Sequence, residues 1–223
     1  IGLAAAVAAR AGLPLAVVPT GTANDFARAV GLPLERDAAL TLAADPAART
    51  RALDLAWAGE RPFVNAASAG LSVAAAQRAR PLKAALGRFA YAVGALRAGL
   101  SARPLRCRVL CDGDERFAGE AWQAIVGSTG AFGGGSEIGD VPHADGLLDA
   151  AVVEAGSRAR LLRHAYGMRA GRLITQPGVH HLRGAQLLVE VPPGTPFNVD
   201  GEVCDLQPAR FSVRPRAVQV VVP

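Results

Sequence analysis

Cysteine is scarce in this 223-residue sequence, and aromatic residues make up only 5% of it. The three cysteines, Cys107, Cys111 and Cys204, are odd in number and lack paired C-x-x-C spacing. That pattern argues against both a disulfide framework and a zinc site. Cys107 and Cys111 share a parity, so on a strand they face one side, as packed free thiols of a reducing compartment. No uninterrupted apolar run reaches the roughly 18 residues a membrane helix needs, and no signal peptide is visible. Basic residues never occur in a run of four, although the net charge is +5. Such a balance permits attraction to nucleotide phosphates or anionic lipid, but scattered arginines first describe a solvated surface. Nucleic-acid recognition needs clustered basic groups or stacking aromatics, and neither is present. The first residue is Ile rather than Met.

What is present is alanine, arginine and a change of pattern along the chain. Residues 2–11 are Ala-rich and read as a helix, with Gly12 as its cap. The run 13–19 reads as a buried parallel strand, TGTAND as a polar loop, and 26–33 as a helix closing at Gly31. Residues 36–51 read as a further helix and its exit. From Ala52 alternation takes over, with strands at 52–58 and 62–66 around a Gly59–Glu60 turn. Residues 74–100 are helical in pattern, with a break near Pro81. Then 105–128 reads as a hairpin turning at Asp112–Gly113–Asp114. Strands follow at 147–154, 186–191, 197–204, 211–215 and 218–222, interrupted by a helical stretch near 157–173. The fold class is therefore α/β followed by mostly-β.

Three stretches carry chemistry. In Pro19-Thr20-Gly21-Thr22-Ala23-Asn24-Asp25, small residues join a strand end to a helix start. Gly21 permits close backbone approach, helix amides favour an anion, and Thr22 and Asn24 offer hydrogen bonds. Asp25 can hold a metal-bound water, or Asn24 or Asp25 can simply cap the helix. The second is Gly133-Gly134-Gly135-Ser136, followed by Asp145-Gly146-Leu147-Leu148-Asp149. Asp145 can bind a hard cation with backbone carbonyls, or begin a turn. The third is Asn198-Val199-Asp200-Gly201-Glu202. On an extended strand Asp200 and Glu202 face the same side, as a general base with a partner. Asp-Gly equally favours a hairpin turn.

The order of these stretches is more specific than any one of them. PTGTANDFAR, FVNAASAG, LGRFAY, FGGGSEI with DGLLDAAVV, and NVDGE together resemble the bacterial soluble diacylglycerol-kinase-like lipid kinases, over nearly the whole chain. The resemblance implies an α/β nucleotide-binding domain, here residues 1–56, and a β-sandwich lipid domain, 57–223. It places the active site in the cleft between them, with the last strand docking back on the first domain. It implies transfer of the ATP γ-phosphoryl to a lipid hydroxyl. Gly21, Thr22 and Asn24 would line the phosphates, and Asp25 would join a water network around Mg2+ with Asp54. Asp145 would hold a structural magnesium, and Asp200 would be the base with Glu202 beside it. The protein would be cytoplasmic and meet its lipid peripherally at the inner face of the membrane. Arg78, Arg80, Lys83 and Arg88 could touch anionic lipid there, and homo-oligomerisation is left open.

Two departures stand out. The family's Gly-Gly-Asp-Gly-Thr/Ser motif, which should precede the first helix and supplies a large part of ATP binding, does not occur; with the strands before it also missing, exposed sheet edge and helix face are expected to leave these 223 residues alone poorly soluble or partly unfolded. Pro142-His143-Ala144 abuts Asp145, which alters the expected metal loop; His143 is read as an exposed loop residue. A lipid-binding remnant without catalysis and a kinase of a soluble metabolite such as NAD are the competing readings.

Overall fold

The computed structural model describes residues 1–21, 23–79, 103–132 and 136–223. It opens with helix α1 (Gly2–Ala11), ended by Gly12 in the left-handed conformation at φ 65°. Two short helices follow, α2 (Asp25–Ala29) and α3 (Arg36–Ala44). Strands β1 (Arg49–Ala58), β2 (Arg61–Phe63) and β3 (Ala66–Gly70) lead to α4 (Leu71–Ala79). After residue 103 come β4 (Leu105–Cys111), β5 (Asp114–Gly127), β6 (Leu148–Glu154) and helix α5 (Arg158–Arg169). The chain closes with β7 (Val179–Gly184), β8 (Gln186–Glu190), β9 (Phe197–Val199), β10 (Glu202–Cys204) and β11 (Ala209–Val222). A short helical and strand region thus precedes a mostly-β body. No helix among the described residues is long and apolar enough to cross a membrane.

All eleven strands join one curled sheet, along the path β10-β9-β3-β5-β4-β8-β11-β1-β2, with β6 and β7 branching from β5. Strand β5 makes the branch because it takes three partners. Its first half pairs with β4, while its second half is flanked by β3 on one edge and β6 on the other. Period-two alternation lets β1 serve two cores. Leu53 and Leu55 pack with Ala5, Phe26, Ala27, Val30, Leu32 and Val64. Ala56 and Ala58 point the other way, to Phe63, Val109, Phe197 and Phe211. Strand β11 does the same, with Val218 and Val220 in the first core and Ala209 and Phe211 in the second. Each large apolar side chain so buried contributes about 1.5–3 kcal/mol.

Helix α1 lies against β2 and β11, and Gly2 shows how closely. A Cβ there would run into the Pro62 carbonyl oxygen. Both cysteines of β4 are buried, as their shared parity requires, and burial pushes the Cys107 thiol up to about 12.

Several expectations need correction. The 13–19 run is not a strand. Leu15 alone bridges Val220, in parallel, through Leu15 N–H to the Gln219 carbonyl (2.7 Å) and Val221 N–H to the Leu15 carbonyl (3.0 Å). Pro14 and Pro19 have no N–H to extend the pairing. Helix α3 stops at Ala44 because Asp45 accepts the Ala47 amide (2.8 Å) in a turn at Pro46, so Arg49–Arg51 already belong to β1. The two strands expected at 211–222 form one, continued through a register shift opposite Leu53/Leu55. Residues 197–204 split into β9 and β10. Strand β7 has no counterpart in the sequence pattern. The helical pattern is realised as α4 up to Ala79, and the rest of 74–100, with LGRFAY, Arg80, Lys83 and Arg88, lies outside the described residues.

Candidate active site

Asp200 and Gly201 form the two-residue turn between β9 and β10, both at positive φ (48° and 91°). Such a turn matches the twist of the flanking strands, and Gly adopts it without steric cost. The Asn198 side-chain oxygen accepts the Gly201 amide (2.8 Å) and fixes the turn. Strand β9 pairs with β3, which carries the turn to the bend at Val64–Asn65. Amides at a bend have no ladder partner, and here the Asp200 carboxylate takes them. Its Oδ2 accepts Val64 N–H (2.8 Å), and its Oδ1 accepts Asn65 N–H (2.9 Å) and Ala66 N–H (3.2 Å). Burial pushes the Asp200 carboxyl above the usual carboxylate range, and these three donors pull against it.

Asp200 and Glu202 do not share one extended strand. The turn separates them, so strand parity no longer applies. Glu202 is exposed and ion-paired with Arg61 at the start of β2. Arg61 also feels the negative charge of Asp200, and Glu202 raises its pKa. Sequence reasoning misses Arg61, and only its ion pair with Glu202 across the fold reveals it. It also misses Asn65 as a junction. The Asn65 carbonyl accepts Ser128 N–H (2.8 Å) and Thr129 N–H (3.3 Å), which lead into the Gly133–Gly135 loop. That loop itself lies outside the described residues.

Gly21 and Asn24 are tied to each other directly. Asn24, left-handed at φ 52°, accepts the Gly21 amide on Oδ1 (2.9 Å). Arg28 Nε donates to the Ala23 carbonyl (3.0 Å). With Oδ1 engaged, the Asn24 amide nitrogen is the side-chain donor it can offer a ligand. Asp25 begins α2, and Thr22 lies outside the described residues. Phe26 and Ala27 anchor this loop in the same core as Val64, whose amide binds Asp200. The loop and the Asp200 turn are thereby held by one packing unit.

Asp54 is engaged by backbone amides of two distant segments. It is buried, and its carboxylate accepts Gly146 N–H on Oδ2 (2.7 Å) and Arg216 N–H on Oδ1 (2.7 Å). Its own amide donates to the His143 carbonyl (2.9 Å). Asp54 thus ties β1 to the β11 bulge and to the 143–146 loop. His143 is half-buried rather than exposed, with Nε2 3.1 Å from the Ala29 carbonyl.

Asp145 accepts Leu147 N–H (3.0 Å) and is ion-paired with Arg183, which also reaches Asp149 (3.2 Å). His181 Nε2 lies 2.6 Å from Asp149. Among the described residues no three His, Cys, Asp or Glu side chains converge as metal ligands. A magnesium ion on Asp145 would have to displace a guanidinium, so the donor set does not fit that metal.

Two family descriptions match this chain in succession. Residues 2–57 match the diacylglycerol kinase catalytic domain, and residues 65–222 match the YegS C-terminal NAD kinase beta sandwich-like domain. A diacylglycerol kinase of Mycobacterium tuberculosis is 32% identical over 218 residues, covering 95% of this chain and 70% of that protein. One from Bacillus subtilis is 30% identical over 213 residues, covering 94% and 69%. A crystal structure of a diacylglycerol kinase from Bacillus anthracis superposes with a TM-score of 0.75 at 22% identity, over 95% of this chain and 69% of that one, and shares its fold. The chain belongs to the diacylglycerol kinase and YegS-like lipid kinase family.

Proposed function

We propose that this protein transfers the γ-phosphoryl group of ATP to the hydroxyl of a membrane lipid, diacylglycerol or a relative of it. The observation that carries the reading is the Asp200 carboxylate, held on the Val64–Ala66 bend in the core that anchors the Gly21–Asp25 loop. Phosphoryl transfer is mostly positioning and charge neutralisation. The Gly21–Asp25 loop, with the Asn24 amide nitrogen, is assigned to the nucleotide phosphates. The lipid oxygen bonds to the γ-phosphorus as the bond to the β-bridging oxygen breaks. The hydroxyl proton passes to Asp200 Oδ2, which accepts one amide and keeps a lone pair. The raised carboxyl suits a group that must take a proton. Arg61, held by Glu202, supplies positive charge near this point.

One observation supports a second assignment of the base. Asp200 makes three backbone bonds that position it firmly, whereas Glu202 is exposed with Arg61 as its ion-pair partner. In that reading Glu202 takes the proton and Asp200 holds the turn. ATP-dependent phosphorylation of a dispersed lipid panel, with Asp200→Asn and Glu202→Gln, separates the two. Loss of about 100-fold or more in kcat for Asp200→Asn, with a smaller loss for Glu202→Gln, supports Asp200. The reverse order supports Glu202. Lipid binding without turnover supports the non-catalytic remnant, and phosphorylation of NAD in place of lipid overturns the lipid assignment.

A further inference from the structure

The outward face of α5 carries an apolar crest within a basic rim. Inward, the helix buries His164 and Gly167 and packs Leu161 and Met168 on a core that includes Trp122, Ile138 and Leu173. One turn apart on the opposite side, Leu162 and Tyr166 are 70% and 74% exposed. Arg158 and Arg163 flank them, whereas Arg160 lies on the side of buried His164 and Arg172 just past the helix end, both exposed. From Ser157 to Arg172 the sequence has no Asp or Glu. The guanidinium groups of Arg158, Arg160, Arg163 and Arg172 make no ion pair among the described residues, unlike those of Arg61, Arg108 and Arg183.

We infer that this face of α5 docks on the surface of an anionic lipid bilayer, with Leu162 and Tyr166 entering the headgroup boundary and the arginines on lipid phosphates. Three observations favour that occupant. An apolar crest flanked by basic side chains is the arrangement of helices that lie in the membrane interface. Tyrosine prefers that depth, apolar ring inward and hydroxyl outward. Uncompensated arginines complement the negative charge of such a surface. The position also suits the proposed reaction, on which the inference rests for its purpose. The Met168 carbonyl accepts Glu137 N–H (2.7 Å) just past the Gly133–Gly135 loop. The core beneath α5 contains Ala66, whose amide binds Asp200. A helix so placed sets the candidate site against the bilayer that supplies the lipid.

The test is sedimentation of the intact protein with phosphatidylcholine vesicles, with and without phosphatidylglycerol. Expected is binding that requires phosphatidylglycerol and falls with salt. Arg158→Glu with Arg163→Glu should weaken it about 30-fold or more. Leu162→Ala with Tyr166→Ala, which leaves the charge intact, should weaken it about 10-fold. Both variants alter exposed side chains, and both should phosphorylate detergent-dispersed lipid at the parent rate. Vesicle binding that depends on α5 without any phosphorylation supports the docking face while removing the kinase reading. Parent-like vesicle binding by both variants, or no binding by the parent, overturns the inference. So does displacement from vesicles by RNA at lower concentration than by anionic lipid, which would assign the face to nucleic acid.

Discussion

Single residues set the geometry of this protein through backbone amides that local sequence does not reveal. Asp54 satisfies Gly146 and Arg216, the latter left-handed at φ 49°, and so permits the bulge that carries β11 from one core to the other. Asp54→Ala orphans two amides and should lower unfolding stability by about 2 kcal/mol or more, measured by urea titration. Gly2→Ala improves helix propensity by about 1 kcal/mol yet should lower the melting temperature. The reason is the clash with the Pro62 carbonyl, which is backbone and cannot turn away. Asp200 makes a prediction in pH. Its carboxyl is raised, so the acid limb of kcat should lie above the ordinary 3.8, and Asp200→Asn should remove that limb. A raised carboxyl favours the fold below its ordinary value, and that contribution is lost as pH rises through the folded value. The Asp-Gly turn at 200–201 is one of two readings open in the sequence. The cradle at Val64–Ala66 is not legible there, because peptide N–H groups carry no residue signature.

Elements divide by how local their causes are. Helix α1 with its Gly12 cap and the turns at Gly59–Glu60 and Asp112–Gly113 follow from neighbouring residues, and sequence and structure agree there. Strand β7, Val-His-His-Leu-Arg-Gly, lacks alternation of apolar and polar residues. It exists because β6 offers an edge, with His181 meeting buried Asp149. The single strand β11 depends on Asp54, far away in sequence, so local pattern alone reads as two strands. Helix α5 carries buried His164, whose pKa burial pushes below its ordinary value. A histidine depressed in the folded state supports stability above 6.5, and that support is lost as pH falls toward the folded value. His164→Gln should flatten this part of the stability profile, followed by thermal melts between about pH 7 and 5. Phe26→Ala should cost about 3–5 kcal/mol, because the side chain fills the core shared by the Gly21–Asp25 loop and Val64. Its activity loss should exceed what the unfolded fraction explains, read as a raised KM for ATP.

At the scale of the whole molecule, one sheet joins the two parts that the sequence pattern distinguishes. Strands β1 and β11 each present one face to the helical core and the other to the β body. This common spine lets a phosphate-suited loop and an acidic turn belong to one packing unit. The ordered motifs make the family legible in the amino-acid sequence itself, since glycine and Asp-Gly elements mark backbone shapes that the fold requires. The pairing of Asp145 with Arg183 is not legible in that way, because it depends on β7 lying beside β6. The central claim is phosphoryl transfer to a lipid at the Asp200 site. Its most direct test is transfer of labelled γ-phosphate from ATP to detergent-dispersed diacylglycerol and related lipid alcohols by the intact protein, alongside Asp200→Asn. The expected result is a labelled lipid that disappears in the variant while ATP binding persists. A folded, ATP-binding protein that labels no lipid, or labels it equally well without the Asp200 carboxylate, would contradict it.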